Sequence, residues 1–121
     1  MQVSITFRHM DASDAIRNHI DSKLAHIQKF LIKPMEAHVT LTVEKFRHTA
    51  EITLSEQYFQ AKAKEVTDDM YLSIDRALDK IEAQVKKHKE KVQEHHKHHA
   101  SVQEVTTEAE KEYLRHNNNA G

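Results

Sequence analysis

AHVTLTVEKFRHTAEITLSEQYFQAKAK, residues 37–64, decides the fold. Val39, Leu41 and Val43 alternate with His38, Thr40, Thr42 and Glu44. Ala50, Ile52 and Leu54 repeat the pattern, and Phe59, Ala61 and Ala63 repeat it again against Gln60, Lys62 and Lys64. Side chains on a strand point to opposite faces with a period of two, so each run is a strand with one apolar and one polar face. The connections between the runs are short, which predicts an antiparallel meander covered on one face only.

Toward the N-terminus, QVSITF (2–7) sets Val3, Ile5 and Phe7 against Ser4 and Thr6, a further half-buried strand. Ser13 is placed to cap a helix, with Asp14 in its first turn. Ile16, Ile20, Leu24, Ile27 and Leu31 then recur at helical spacing, and Pro34 is expected to end that element. Toward the C-terminus, Thr67 is the expected cap of a long second helix, with Asp68 and Asp69 in its first turn. Met70, Ile74, Leu78, Ile81, Val85 and Val92 form its stripe. The order β-α-β-β-β-α predicts an α+β domain: a four-stranded sheet with two helices packed on one face. That domain is expected over residues 1–95. Residues 96–121 read as a His-rich helix end followed by a flexible acidic tail.

Composition narrows the function. The chain of 121 residues has no Cys, which excludes disulfides, thiolate zinc sites and cysteine nucleophiles. The one Gly is the last residue, so no glycine-rich phosphate cradle exists. No apolar run is long enough to span a bilayer, and the N-terminus lacks the pattern of a signal peptide; a cytoplasmic protein without a membrane role is expected. Net charge is −1, yet the charge is segregated. Residues 76–99 hold seven Lys/Arg and five His against four Asp/Glu, whereas 101–121 hold four Glu against one Lys and one Arg.

On a helical wheel the charges also separate by flank. His19, Lys23, His26 and Lys33 line one side of the first helix, with Asp14 and Asp21 opposite. Arg76, Lys80, Lys87, Lys91 and His98 line one side of the second, with Asp75, Asp79 and Glu82 opposite. Charged residues on a helix ordinarily belong to a solvated face with ion pairs at i,i+4. Separation by flank instead suits a phosphate backbone, which needs spaced cations more than particular geometry.

Three other constellations weigh less. His95 and His99, or His96 and His99, have chelate spacing, but no third ligand is evident and nearby lysines repel a cation; no metal and no cofactor are expected. Those imidazoles titrate near neutral pH and would add positive charge in acid. Ser13 and Ser73 have no base and orienting acid around them, so no enzyme is expected. Phe46, between Lys45 and Arg47, is either a stacking platform for a base or the plug at one end of the core.

VEKFRHTAE (43–51), DDMYLSIDRALDKIEAQVKKHKEK (68–91) and the opening MQVSITFRHMDASDAIRNHIDSKL (1–24) resemble the bacterial ribosome hibernation-promoting factors, also called ribosome-associated inhibitor A or sigma-54 modulation proteins. The resemblance covers roughly residues 1–95 and looks like a short form with a C-terminal tail. It implies a non-enzymatic translation inhibitor that binds the small ribosomal subunit in the channel for messenger and transfer RNA. Such a factor inactivates and protects idle ribosomes in stationary phase or stress. It implies ribosomal RNA contacts at Lys23, Lys29, Lys80, Lys86, Lys87, Lys89 and Lys91 on the helices, and at Lys45 and Arg47 in the basic turn. A small ribosome-dimerising protein is an implied further partner of short members; DNA is not. Many members carry Gly-Gly where this chain has Ser55-Glu56-Gln57. The alternative is a protein-interaction module that modulates a transcription factor such as sigma-54, a role that does not need the basic flank.

Overall fold

The computed structural model describes residues 1–101, with side chains through residue 91. Strand β1 spans Gln2–Arg8, helix α1 Asp14–Gln28, strands β2, β3 and β4 Glu36–Glu44, Arg47–Glu56 and Phe59–Thr67, and helix α2 Met70–Ser101. The expected β-α-β-β-β-α order is present. The sheet is mixed, in the order β1-β2-β3-β4: β1 runs parallel to β2, while β2, β3 and β4 form the antiparallel meander. A parallel pair needs a crossover, and α1 supplies it.

Register assembles the core in rows. Val3, Ala37, Leu54 and Ala61 lie side by side across the four strands; Ile5, Val39, Ile52 and Ala63 form the next row. Both helices cover this face. Ile16, Ile20, Leu24 and Ile27 of α1 and Met70, Ile74, Ala77, Leu78, Ile81 and Val85 of α2 are buried in one cluster with the strand residues. The small side chains of Ala61 and Ala63 let α2 lie close against β4. There the Gln84 side chain bonds the strand backbone: Lys62 N–H donates to Gln84 Oε1 (3.2 Å) and Gln84 Nε2 donates to Lys62 O (2.8 Å). The opposite face is polar, with rows such as Thr6, Thr40, Glu51 and Lys64.

Element ends differ from expectation in two places. Helix α1 stops at Gln28, well before Pro34. The N–H groups of Lys29, Phe30 and Leu31 donate to the carbonyls of His26, Ile27 and Gln28. These i→i+3 bonds tighten the chain as a 3₁₀ turn does, and they keep Leu31 buried after the helix has ended. The Gln28 side chain then ties down the loop, accepting from Met35 N–H and donating to Lys33 O, each at 3.1 Å. At the start of α2 the cap is Asp69 rather than Thr67: the Asp69 carbonyl accepts the first helical bond, from Ser73 N–H (3.0 Å). Thr67 Oγ1 instead accepts from Asp69 N–H at 3.1 Å, outside the helix.

Ser73 is fully buried, and its hydroxyl donates to the His48 carbonyl at 2.6 Å. Having given away its one proton, it can only accept from Thr67 Oγ1, 2.6 Å away, whose single proton is shared with the Asp69 carbonyl at 2.7 Å. The hydroxyl therefore joins α2, β3 and the end of β4. Ser73→Ala takes this donor from the His48 carbonyl, while the Thr67 hydroxyl keeps the Asp69 carbonyl and N–H as partners. It is expected to cost about 1–3 kcal/mol, seen as a lower urea midpoint.

Candidate nucleic-acid interface

The two helices run in the same direction, and a ladder of charges joins them. His19 Nε2–H donates to Asp75 Oδ1 at 2.7 Å, with Lys23 Nζ 3.6 Å from the same oxygen. His26 Nε2 lies 4.0 Å from Glu82 Oε2. The basic flank of α1 thus faces the acidic flank of α2. Half of the charge separation seen on the wheels is complementarity between neighbouring helices. Lys23 belongs to this seam, sharing Asp75 with His19.

The other flank of α2 faces outward along β4. Lys80 there forms an ion pair with Glu65. Register places Glu65 in a helix-facing row with Phe7, Leu41 and Ala50, where its side chain is only 17% exposed. A carboxylate so sheltered needs a counter-charge, so Lys80 serves the fold as well as the surface. Lys87 and Lys91 follow on this flank, and neither has a salt bridge among the described residues.

At this end of the domain α2 meets two aromatic rings. His88 stacks on Phe59, the first residue of β4, with centroids 4.2 Å apart and planes 13° apart. Phe30, just past α1, lies under two ammonium groups: Lys86 Nζ is 5.0 Å and Lys89 Nζ 5.4 Å from its centroid. Lys86 also pairs with Glu82 at 2.9 Å. Cation–π contacts leave the outer side of an ammonium open to solvent and to phosphate. Lys29 caps α1 beside Phe30. The structure thus gathers Lys29, Lys86, Lys87, Lys89 and Lys91 at one end of the domain.

Lys45 and Arg47 are at the other end. Glu44 pairs with Arg47, which leaves Lys45 and Phe46 as a two-residue turn between β2 and β3. Lys45 has φ = 56°, and Phe46 does not share the positive φ. That is the sign pattern of a type II′ hairpin turn, whose first position favours glycine. Phe46 is 84% exposed, so it does not plug the core. A side chain held in the left-handed region costs about 1 kcal/mol, and such strain is found at functional positions. Lys45→Gly is expected to raise stability by about 0.5–1 kcal/mol in urea unfolding.

Sequence reading missed the aromatic supports. Phe30 lies beside Leu31, the last residue of the expected α1 stripe, and reads as one more core residue, and His88 falls on the α2 stripe itself. Lys62 and Lys64, exposed on the open face of β4, add cations near the same edge. Among the described residues no cluster of His, Asp and Glu could hold a metal ion. The His95, His96 and His99 side chains and the tail from residue 102 lie outside what the structure describes, and so does the expected division at residue 95 as far as it concerns that tail.

A mixed four-stranded sheet in this order, with two parallel helices on one face and cations at both ends, defines a class of small α+β domains. The chain belongs to the sigma 54 modulation protein / S30EA ribosomal protein family, whose model matches residues 3–93. It is 33% identical over 95 residues to the ribosome hibernation promoting factor of Escherichia coli K12, covering 78% of this chain and all of that one. It is 36% identical over 93 residues to the protein of the same name from Pseudomonas putida KT2440, covering 77% and 91%. Among solved structures, the N-terminal domain of Protein Y from Thermus thermophilus superposes with a TM-score of 0.66 at 30% identity, over 71% of this chain and 97% of that one. A ribosomal subunit interface protein from Coxiella burnetii shares the fold, with a TM-score of 0.63 at 24% identity over 74% and 98%.

Proposed function

We propose that this chain is a ribosome hibernation factor. In this reading, residues 1–95 bind the small ribosomal subunit in the messenger and transfer RNA channel. They inactivate idle ribosomes by occupancy and protect them in stationary phase or stress, in the cytoplasm. No bond is made or broken, so the mechanism is steric exclusion with affinity from Lys/Arg–phosphate contacts. The observation that carries the reading is the outward flank of α2, where Lys87 and Lys91 present ammonium groups with no salt bridge among the described residues. The likeness over the whole length of the Escherichia coli hibernation factor supports it.

The residues divide by task. Lys29, Lys86, Lys87, Lys89 and Lys91 grip phosphates at one end, and Lys45 and Arg47 at the other. Lys80 contributes beside its pairing with Glu65, and Lys23 contributes from the seam with Asp75. No DNA, metal, cofactor or membrane enters the mechanism; no helix among the described residues is long and apolar enough to cross a membrane.

Sucrose-gradient profiles of ribosomes test the reading, run with the full chain and with a chain ending at residue 100. The full chain is expected to travel with the small subunit and to leave it as salt rises. Failure to co-sediment at low salt would overturn the proposal. The dimer peak in the two profiles reads whether the tail, or a small dimerising partner, governs pairing of ribosomes. A sigma-54-type interaction module would be captured from stationary-phase lysate equally well after nuclease treatment; the ribosomal reading expects that capture to be lost.

A further inference from the structure

We infer that Phe46 is a stacking platform for an unpaired RNA base, held at the tip of the β2–β3 hairpin and flanked by two phosphate-binding cations. The inference rests on the ribosomal RNA reading above and adds a contact of different chemistry.

Four large side chains stand out as exposed: Ile32 (93%), Phe46 (84%), Tyr58 (79%) and Met1 (50%). Single exposed apolar residues are ordinary on a protein surface, so the surroundings must separate them. Ile32 and Met1 have no aromatic face. Tyr58 sits at the β3–β4 turn between Gln57 and Phe59, where its hydroxyl accepts from Gln57 Nε2 (2.9 Å) and its N–H donates to the Glu56 carboxylate (3.0 Å). That turn is acidic and polar, and it repels a phosphate. Phe46 alone among these four has a ring and a cation on each side. Lys45 and Arg47 are both exposed, and neither forms a salt bridge among the described residues.

The geometry of the turn explains the presentation. Positive φ at Lys45 closes the hairpin in two residues, which leaves Phe46 no neighbouring strand to lie against. It has no aromatic partner among the described residues, whereas Phe7, Phe30 and Phe59 each hold a cation or an imidazole. A ring left open between an ammonium and a guanidinium has the elements of single-strand RNA binding: a π face for the base and charges for the phosphates on either side of it. Duplex RNA would offer no free base face, so the occupant is an unpaired or loop nucleotide.

The test compares Phe46→Ala, Phe46→Leu, Phe46→Tyr and Phe46→Trp by co-sedimentation with purified small ribosomal subunits across a salt series, alongside thermal melts. Phe46→Ala and Phe46→Leu are expected to weaken binding about 5- to 150-fold, the effect of losing one base–aromatic stack. Phe46→Tyr and Phe46→Trp should keep near-parental affinity. All four should keep the parental salt slope, because no charge changes, and the parental melting temperature. The chain has no Trp, so Phe46→Trp also carries its one indole at the contact. Its fluorescence, corrected with the parent chain, should be quenched on binding. Parental affinity of Phe46→Ala would overturn the inference. Parental affinity of Phe46→Leu would also overturn it, by assigning the ring to an aliphatic pocket of a protein. If the parent chain itself does not co-sediment, the ribosomal reading fails and the inference with it; in the other two cases the ribosomal reading stands.

Discussion

Reversal of Lys87 and Lys91 to Glu together is expected to abolish co-sedimentation with small ribosomal subunits and leave the fold intact. The two residues are one turn apart on the outward flank of α2, on either side of His88. Each neutralised phosphate releases condensed counterions, so affinity falls as a power of salt concentration set by the number of contacts. Losing two contacts should flatten that dependence by roughly two units of slope and, with the added repulsion, weaken binding about 100-fold or more near physiological salt. Lys87 is half-buried, so its stem covers apolar surface as well as carrying charge. Lys87→Gln with Lys91→Gln keeps the stems and should fall between parent and reversal. Unchanged co-sedimentation of the Glu variant would remove this flank from the site.

The second large effect is on stability. Ile81→Ala empties a fully buried position of α2 within the common core. Deleting a buried aliphatic side chain of this size costs about 2–5 kcal/mol, the lost transfer energy plus the cavity. A domain of this length has about 5–15 kcal/mol to lose, so the urea midpoint should drop sharply with little change in slope. The folded fraction should bind ribosomes with parental affinity and parental salt dependence, because no contact has gone. A charge reversal shows the opposite pattern, with a parental melt and a changed salt slope. Together the two variants separate loss of the molecule from loss of the surface.

The strands were legible because alternation is a local signal. Val39, Leu41, Ile52 and Leu54 each declare their face by their nearest neighbours in sequence, and the core confirms all of them. The α1 stripe was legible through Ile27. Leu31 misled because the turn after Gln28 happens to return it to the buried side, so apolar spacing outlasts the helix. Thr67 misled because a cap is a matter of backbone conformation, and two capping residue types stood two positions apart. The charged flanks show a deeper limit. A wheel treats one helix alone and cannot tell a flank facing solvent from one facing a neighbour, so Lys23 and Lys87 looked alike although, among the described residues, only Lys23 of the two meets an opposite charge. Phe46 was undecidable for a similar reason: whether a turn residue points inward depends on the backbone of the residue before it, here Lys45.

The Gln84 side chain bears on how the molecule behaves when crowded. Strand β4 is an outer strand of the sheet, and an outer strand offers its peptide groups to any other chain that comes alongside. A glutamine amide can present one N–H and one carbonyl side by side, as a peptide unit does. At Lys62 the two are arrayed as a neighbouring strand would array them, but on a helix that cannot leave without unpacking the core. The side chain is a decoy for a fifth strand. It closes that position to unwanted sheet extension between copies, and it does so without placing a charge there.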